Sequence, residues 1–250
     1  MNTKTIIVGC AAAFVLTSTS YAQITTVGVL DPNLHGQTLQ DSPNNVGNAN
    51  FVTFSTMSSL MTTAFANNTG GVMNFDTANG WPFAANATSF TIQYGTSASQ
   101  SLIFGRNDSG NNMGSTSGAG TTDVSGGQYL GFGGSGSPVT LTFSQGLVDW
   151  GVTELNRGAS RDVTLGFTLA DNTVINYALQ NQDPSGNNSG ALNFYGFQAS
   201  VSNPLMKVTM VANGFVRYDD MAFVVAVPEP GTMALAAVGG AAVLLFRRRR

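Results

Sequence analysis

Between Val139 and Phe143 apolar and polar residues alternate strictly, so an extended segment there buries one face and solvates the other. The same period of two marks Ser89–Tyr94. Val72–Phe75, Ser101–Phe104, Leu147–Leu155, Leu192–Phe197, Leu205–Val211 and Phe215–Val225 read as further short strands. Val163–Leu169 and Val174–Leu179 flank Ala170-Asp171-Asn172-Thr173, which predicts a hairpin. One stretch has another period. Phe51, Phe54, Met57, Met61 and Phe65 recur every three or four residues, predicting a helix over 50–68 that Gly70-Gly71 terminates. Such a helix would pack as a lid on one end or face of a sheet. The stretches 23–50, 106–127 and 181–190 are rich in Gly, Asn, Ser and Pro and read as loops. About ten short strands at regular spacing predict an all-β fold, a jelly-roll-like β-sandwich with one N-terminal helix.

The two ends of the chain follow neither period. Lys4, the apolar run Ile6–Leu16 and Ser20-Tyr21-Ala22 form a signal peptide over 1–22, cleaved between Ala22 and Gln23. Cys10 lies inside the apolar run rather than after it, which argues against a lipoprotein, and its loss leaves a mature chain without cysteine. At the other end Pro228 and Pro230 separate the domain from the C-terminal tail. Gly231–Phe246 then contains no charge, and Arg247–Arg250 close the chain. As a helix this run would span about 24 Å at ~1.5 Å per residue. That is short of a ~30 Å hydrocarbon core, a deficit that snorkelling arginines reduce. Arginines favour the cytoplasmic side, so a C-terminal transmembrane helix would leave the preceding domain outside. The expected layout is a signal peptide (1–22), a sandwich domain (23–226) and a tail (227–250).

The tail, with Pro228-Glu229-Pro230, the small step Gly231-Thr232, the apolar run and the arginine cluster, resembles the PEP-CTERM sorting signal of bacterial surface proteins. The resemblance covers about a tenth of the chain. It implies an exosortase as partner, cleavage near the motif, and a host with an outer membrane and an exopolysaccharide system. The expected route is transient anchoring in the inner membrane, then the cell surface or extracellular matrix. A looser resemblance, from Gly196-Phe197 to Tyr218-Asp219-Asp220-Met221-Ala222-Phe223, is to carbohydrate-binding-like β-sandwiches often joined to such tails.

Charge narrows the candidate chemistry. Residues 23–226 hold five basic and twelve acidic residues, a net −7, which disfavours nucleic acid and other polyanions. His35 is the only histidine and lies in a turn-rich stretch, so a His-rich zinc site or a Ser-His-Asp triad is not expected. No phosphate-cradling glycine motif is present. Asp149 with Glu154, or Asp219 with Asp220, are the carboxylate pairs a glycosidase would need on opposite sides of a bond. Adjacent strand residues such as Asp219 and Asp220 point to opposite faces, which weakens the second pair. Calcium, which takes six to eight oxygen ligands, is the candidate cofactor: Asp76 follows an early strand and Asp219 and Asp220 lie in the last. The plainer alternative is that Asp219 and Asp220 solvate a strand or pair with Arg217. Trp81, between Asn79-Gly80 and Pro82, is the candidate sugar-stacking residue, whereas Trp150 shares a face with Val148 and Val152 and reads as core. The expectation is a protein without catalytic residues, structural or adhesive at the surface. The alternative is a carbohydrate-binding module acting on exopolysaccharide.

Overall fold

A computed structural model of the chain describes residues 23–30, 40–41, 48–74, 89–97, 100–108, 130–132, 138–155, 163–179, 193–212 and 216–227. Among them are one helix, α1 (Phe54–Ala66), and twelve strands. The strands are β1 (Gln23–Thr25), β2 (Gln40–Asp41), β3 (Gly70–Met73), β4 (Ser89–Tyr94), β5 (Gln100–Asp108) and β6 (Leu130–Phe132). They continue with β7 (Val139–Leu155), β8 (Val163–Leu169), β9 (Val174–Leu179), β10 (Asn193–Gln198), β11 (Leu205–Ala212) and β12 (Val216–Val225). The fold is an all-β sandwich with one helix. β1 and β2 fall within the stretch expected to be loop, and Arg106–Asp108 belongs to β5 rather than to the loop after it.

β7 holds the two layers together. Its first half lies between β5 and β11, in a layer ordered β1-β4-β5-β7-β11-β8-β9. Its second half lies between β10 and β12, in a second layer that β2 extends beyond β10 and that β3 and β6 extend beyond β12. The sequence reads as two strands here, 139–143 and 147–155, because Ser144-Gln145-Gly146 interrupts the alternation. The interruption is instead where one continuous strand passes between layers. Ser144 Oγ accepts from Ile103 N (3.0 Å), and Gln145 Nε2 donates to the Ser101 carbonyl (3.1 Å). These side chains replace ladder bonds that the turning backbone no longer makes.

The core between the layers is aromatic. Trp150, Tyr195, Phe197 and Phe223 of the second layer meet Tyr94, Phe104, Phe167 and Tyr177 of the first. The Phe167 and Phe197 rings stack at 4.2 Å and 8°, and Trp150 meets Phe167 edge-on at 5.7 Å. Such pairs add ~0.5–1.5 kcal/mol each beyond their area burial. Trp150 and Val152 are core, as their shared strand face requires.

Helix α1 covers the other face of the second layer. It begins where Thr53, in extended conformation, accepts from Thr56 N through its hydroxyl, while Phe54 N donates to an Asp41 carboxylate oxygen. It ends at Asn67, and Asn68 takes a left-handed φ of 55°. Met57, Met61 and Ala64 form its buried face, packing with Val72, Phe194 and Ala222. The helix is thus a cover on a sheet face, four residues shorter at its start than expected. Phe51 precedes it and bridges to Phe197. Close approach is made through glycine: a Cβ at Gly151 would fall 2.5 Å from the Phe194 ring, and one at Gly196 would strike the Val52 carbonyl oxygen.

Candidate functional site

The expected site residues on β12 lie at an irregularity. Asp219 stands opposite Thr153 and Ala222 opposite Gly151, so two residues, Asp220 and Met221, face the single Val152. Asp220, the first residue of the bulge, takes a left-handed conformation with φ 46° and donates its N–H to Asp219 Oδ1 (2.7 Å). Aspartate is among the few non-glycine residues that tolerate this region. The bulge re-aims the strand, so that Met221 and Phe223 enter the inter-layer core while Ala222 meets the helix. The strict alternation expected of Asp219 and Asp220 therefore fails at Asp220.

Four carboxyl groups are buried around this strand: Asp149, Glu154, Asp219 and Asp220. Glu154 stands between Asn193 of β10 and Tyr218 of β12, on the face that carries Val152 and Trp150. Asp219 is level with Thr153 on the helix-side face. Thr153 is fully buried and its hydroxyl has no hydrogen-bond partner. Asp149 accepts from Gln198 Nε2 (3.1 Å), and burial raises its pKa, an effect that this hydrogen bond offsets in part. Five positions of regular strand separate Asp149 from Glu154, with Gln198 through Asn193 paired against them in unbroken register. Odd spacing puts the two on opposite faces, and at ~3.3 Å per residue they are roughly 17 Å apart along the strand. Asp149 and Glu154, a pair a glycosidase would need, do not stand at the required separation of roughly 5–10 Å.

Among the described residues no three of His, Cys, Asp and Glu come together to hold a metal ion. Asp76, the third expected calcium ligand, lies outside the described residues, as do Trp81, His35, Ala22 and the motif Pro228-Glu229-Pro230. The structure does place the strand that leads to Asp76 beside the strand that carries the other two, since β3 pairs with β12 through Met73 and Met221. Gln23 is the first residue of β1 and stands opposite Thr91. No sequence signal identifies the bulge or the burial of Glu154 and Asp219. Polar residues in an alternating strand read as solvent-facing unless a second element covers that face.

The last described residues lie at the opposite end of β12. Val225 N donates to the Thr69 carbonyl and Ala226 N to that of Gly146, both at 2.8 Å, which pins the strand end to the bend of β7. Val227 is then 51% exposed. No helix among the described residues is long and apolar enough to cross a membrane. Residues 226–250 match the family model of the PEP-CTERM protein-sorting motif. The chain thus carries this sorting motif, which implies export, C-terminal membrane anchoring and processing by an exosortase. No curated protein matches it in sequence. Among solved structures it is similar to the CBM22-1 and GH10 modules of Clostridium thermocellum endo-1,4-β-D-xylanase 10B complexed with xylohexaose, at 7% identity and a TM-score of 0.31, over 49% of this chain and 26% of that one. It is similar also to the catalytic unit of a Streptomyces thermodiastaticus GH87 α-1,3-glucanase, at 14% identity and a TM-score of 0.29, over 59% and 28%. A third likeness is to bacteriophage CBA120 tailspike protein 4, at 11% identity and a TM-score of 0.30, over 50% and 19%. The chain thus spans under a third of each, and likenesses this distant carry no inference about its activity.

Proposed function

We propose that this protein is a non-catalytic structural or adhesive component of the bacterial cell surface or extracellular matrix, delivered there by its sorting signal. The observation that carries this reading is the junction. The matched motif begins at residue 226, directly after Val225 ends β12, the last described strand in the chain. Processing near Pro228-Glu229-Pro230 would release a completed fold rather than a truncated one. In this reading Gly231–Phe246 form the transmembrane helix, Arg247–Arg250 stay in the cytoplasm, and residues 1–22 are removed on export. The separation of Asp149 from Glu154 supports a non-catalytic role. Calcium at Asp76, Asp219 and Asp220 is retained on one observation, the pairing of β3 with β12.

Mass spectrometry of protein recovered from the surface of the native host tests the reading. No peptide beyond about Gly231 is expected, and a mature protein that still ends at Arg250 would overturn it.

A further inference from the structure

On β7, β11 and β8 the residues Leu141, Val208, Met210, Leu165 and Phe167 are buried in the inter-layer core. Their neighbours Thr140, Thr142, Lys207, Thr209, Thr164 and Thr168 alternate with them and point away from it, and all six are half-buried or exposed. Lys207 stands opposite Thr142 on one side and Thr168 on the other, and Thr209 stands opposite Thr140. Neighbouring strands are about 4.8 Å apart and same-face residues about 6.7 Å apart along a strand. The hydroxyls therefore recur over three adjacent strands, in a lattice interrupted by Gly166 opposite Thr209 and by Val211 opposite Thr164. Threonine is β-branched and stiff at χ1, so these hydroxyls lose little freedom when they bind.

Charge sets this face apart. The domain has twelve acidic and five basic residues, yet the lattice strands β8 and β11 and the first half of β7 carry no acidic residue. Lys207 is the one ion on the lattice, while Asp171 sits beyond it at the β8–β9 turn. A net-negative domain repels polyanions at long range. A face of spaced hydroxyls with a single ammonium and no carboxylate complements a polymer that is itself uncharged and made of hydroxyl groups.

We propose that the outer face of the β7–β11–β8 strands binds an uncharged polysaccharide chain, an inference that rests on the reading of the protein as an exported surface component. Each hydrogen bond replaces one made to water and nets little. Binding therefore depends on many sugar residues lying along the lattice, and a single sugar does not compete.

Affinity electrophoresis of the full chain in non-ionic detergent tests the proposal, with dextran or hydroxyethyl cellulose in the gel and alginate as the polyanion. Both neutral polymers should retard the protein, and alginate should not. The double variant Thr142→Val, Thr209→Val keeps the β-branched shape and should weaken retardation at least threefold while melting within a few degrees of the parent. Lys207→Gln is a second variant with the same expected direction, should the valine pair fail to fold. The proposal is overturned by no retardation in either neutral polymer, by undiminished retardation of both variants, or by stronger retardation in alginate. It is overturned equally by slow migration without polymer, which would make the face a contact between copies of the chain. C-terminal processing is read separately by mass spectrometry, so loss of binding with normal processing fails this inference alone.

Discussion

Gly196 has no room for a side chain, because the Val52 carbonyl oxygen occupies the space where a Cβ would stand and Val52 N donates to the Gly196 carbonyl at 3.2 Å. The obstacle is backbone, so no rotamer relieves it. Gly196→Ala should destabilise the domain by roughly 1–3 kcal/mol, the usual effect of overpacking. A thermal melt that does not fall would show that the strap before α1 gives way freely. Tyr177 makes the opposite argument. Its buried hydroxyl has no hydrogen-bond partner, and desolvation pushes its pKa up to about 12. Between the ordinary value of about 10 and that raised value, the folded state keeps a proton the unfolded state has lost. Stability therefore falls as pH rises through this window and is untouched below it. Tyr177→Phe should remove that alkaline loss and leave neutral stability equal or higher; a clear neutral loss in a denaturation series would instead indicate a hydrogen bond to the hydroxyl. Asp149 has the same sign at acid pH. Its raised folded pKa means that the folded state binds the proton more tightly, so stability falls as pH rises from about 4 through that raised value. Asp149→Asn should flatten the curve there, and a curve of unchanged slope would exclude Asp149 as its source.

At the scale of elements, the pairing of β3 with β12 gives calcium its test. A ligand that binds only the folded state raises its stability, so millimolar calcium added after chelation should raise the melting temperature if Asp76, Asp219 and Asp220 share an ion. An unchanged calorimetric trace would dispose of the site. How far these elements were legible depended on what covers each face. β4, β8 and β9 fall residue for residue where alternation predicts them, because each has one buried and one solvated face. β7 reads as two strands because its crossing between layers uses the same polar and glycine residues as a turn. β1 and β2 are two or three residues long and pair in parallel with strands far away in sequence, which no local pattern reports. The helix was legible from its period, but its buried face includes Ala64, whose small side chain lets the helix approach Gly70. Phe65 lies instead against Gly28. The β12 bulge and the buried Glu154 and Asp219 were not legible, since their signal comes from a third layer, the helix, and from register with β10.

For the whole molecule, the sorting motif at 226–250 decides what alteration of the tail should do. Among the described residues both hydrophobic clusters are built between Leu30 and Val225, and the last backbone bond that ties the strand end down is made by Ala226. Changes beyond Gly231 should therefore alter destination without altering the stability of the domain. Translocation that starts at the signal peptide carries the domain outward until the apolar run stops it, with the arginines held inside. Deleting Met233–Arg250 removes that stop, so the domain should be found free in the periplasm, neither anchored in the inner membrane nor displayed at the surface. Replacing Arg247–Arg250 with serine removes the orientation signal while keeping the apolar run. That variant should accumulate unprocessed, with mixed topology in a protease-accessibility assay, yet show the parent melting temperature after purification in detergent. The two variants separate a sorting signal from a plain anchor. If the serine variant is processed and displayed as fully as the parent, the arginine cluster has no part in sorting. If deletion leaves the protein on the surface, the domain is held there by its own contacts and the tail is dispensable.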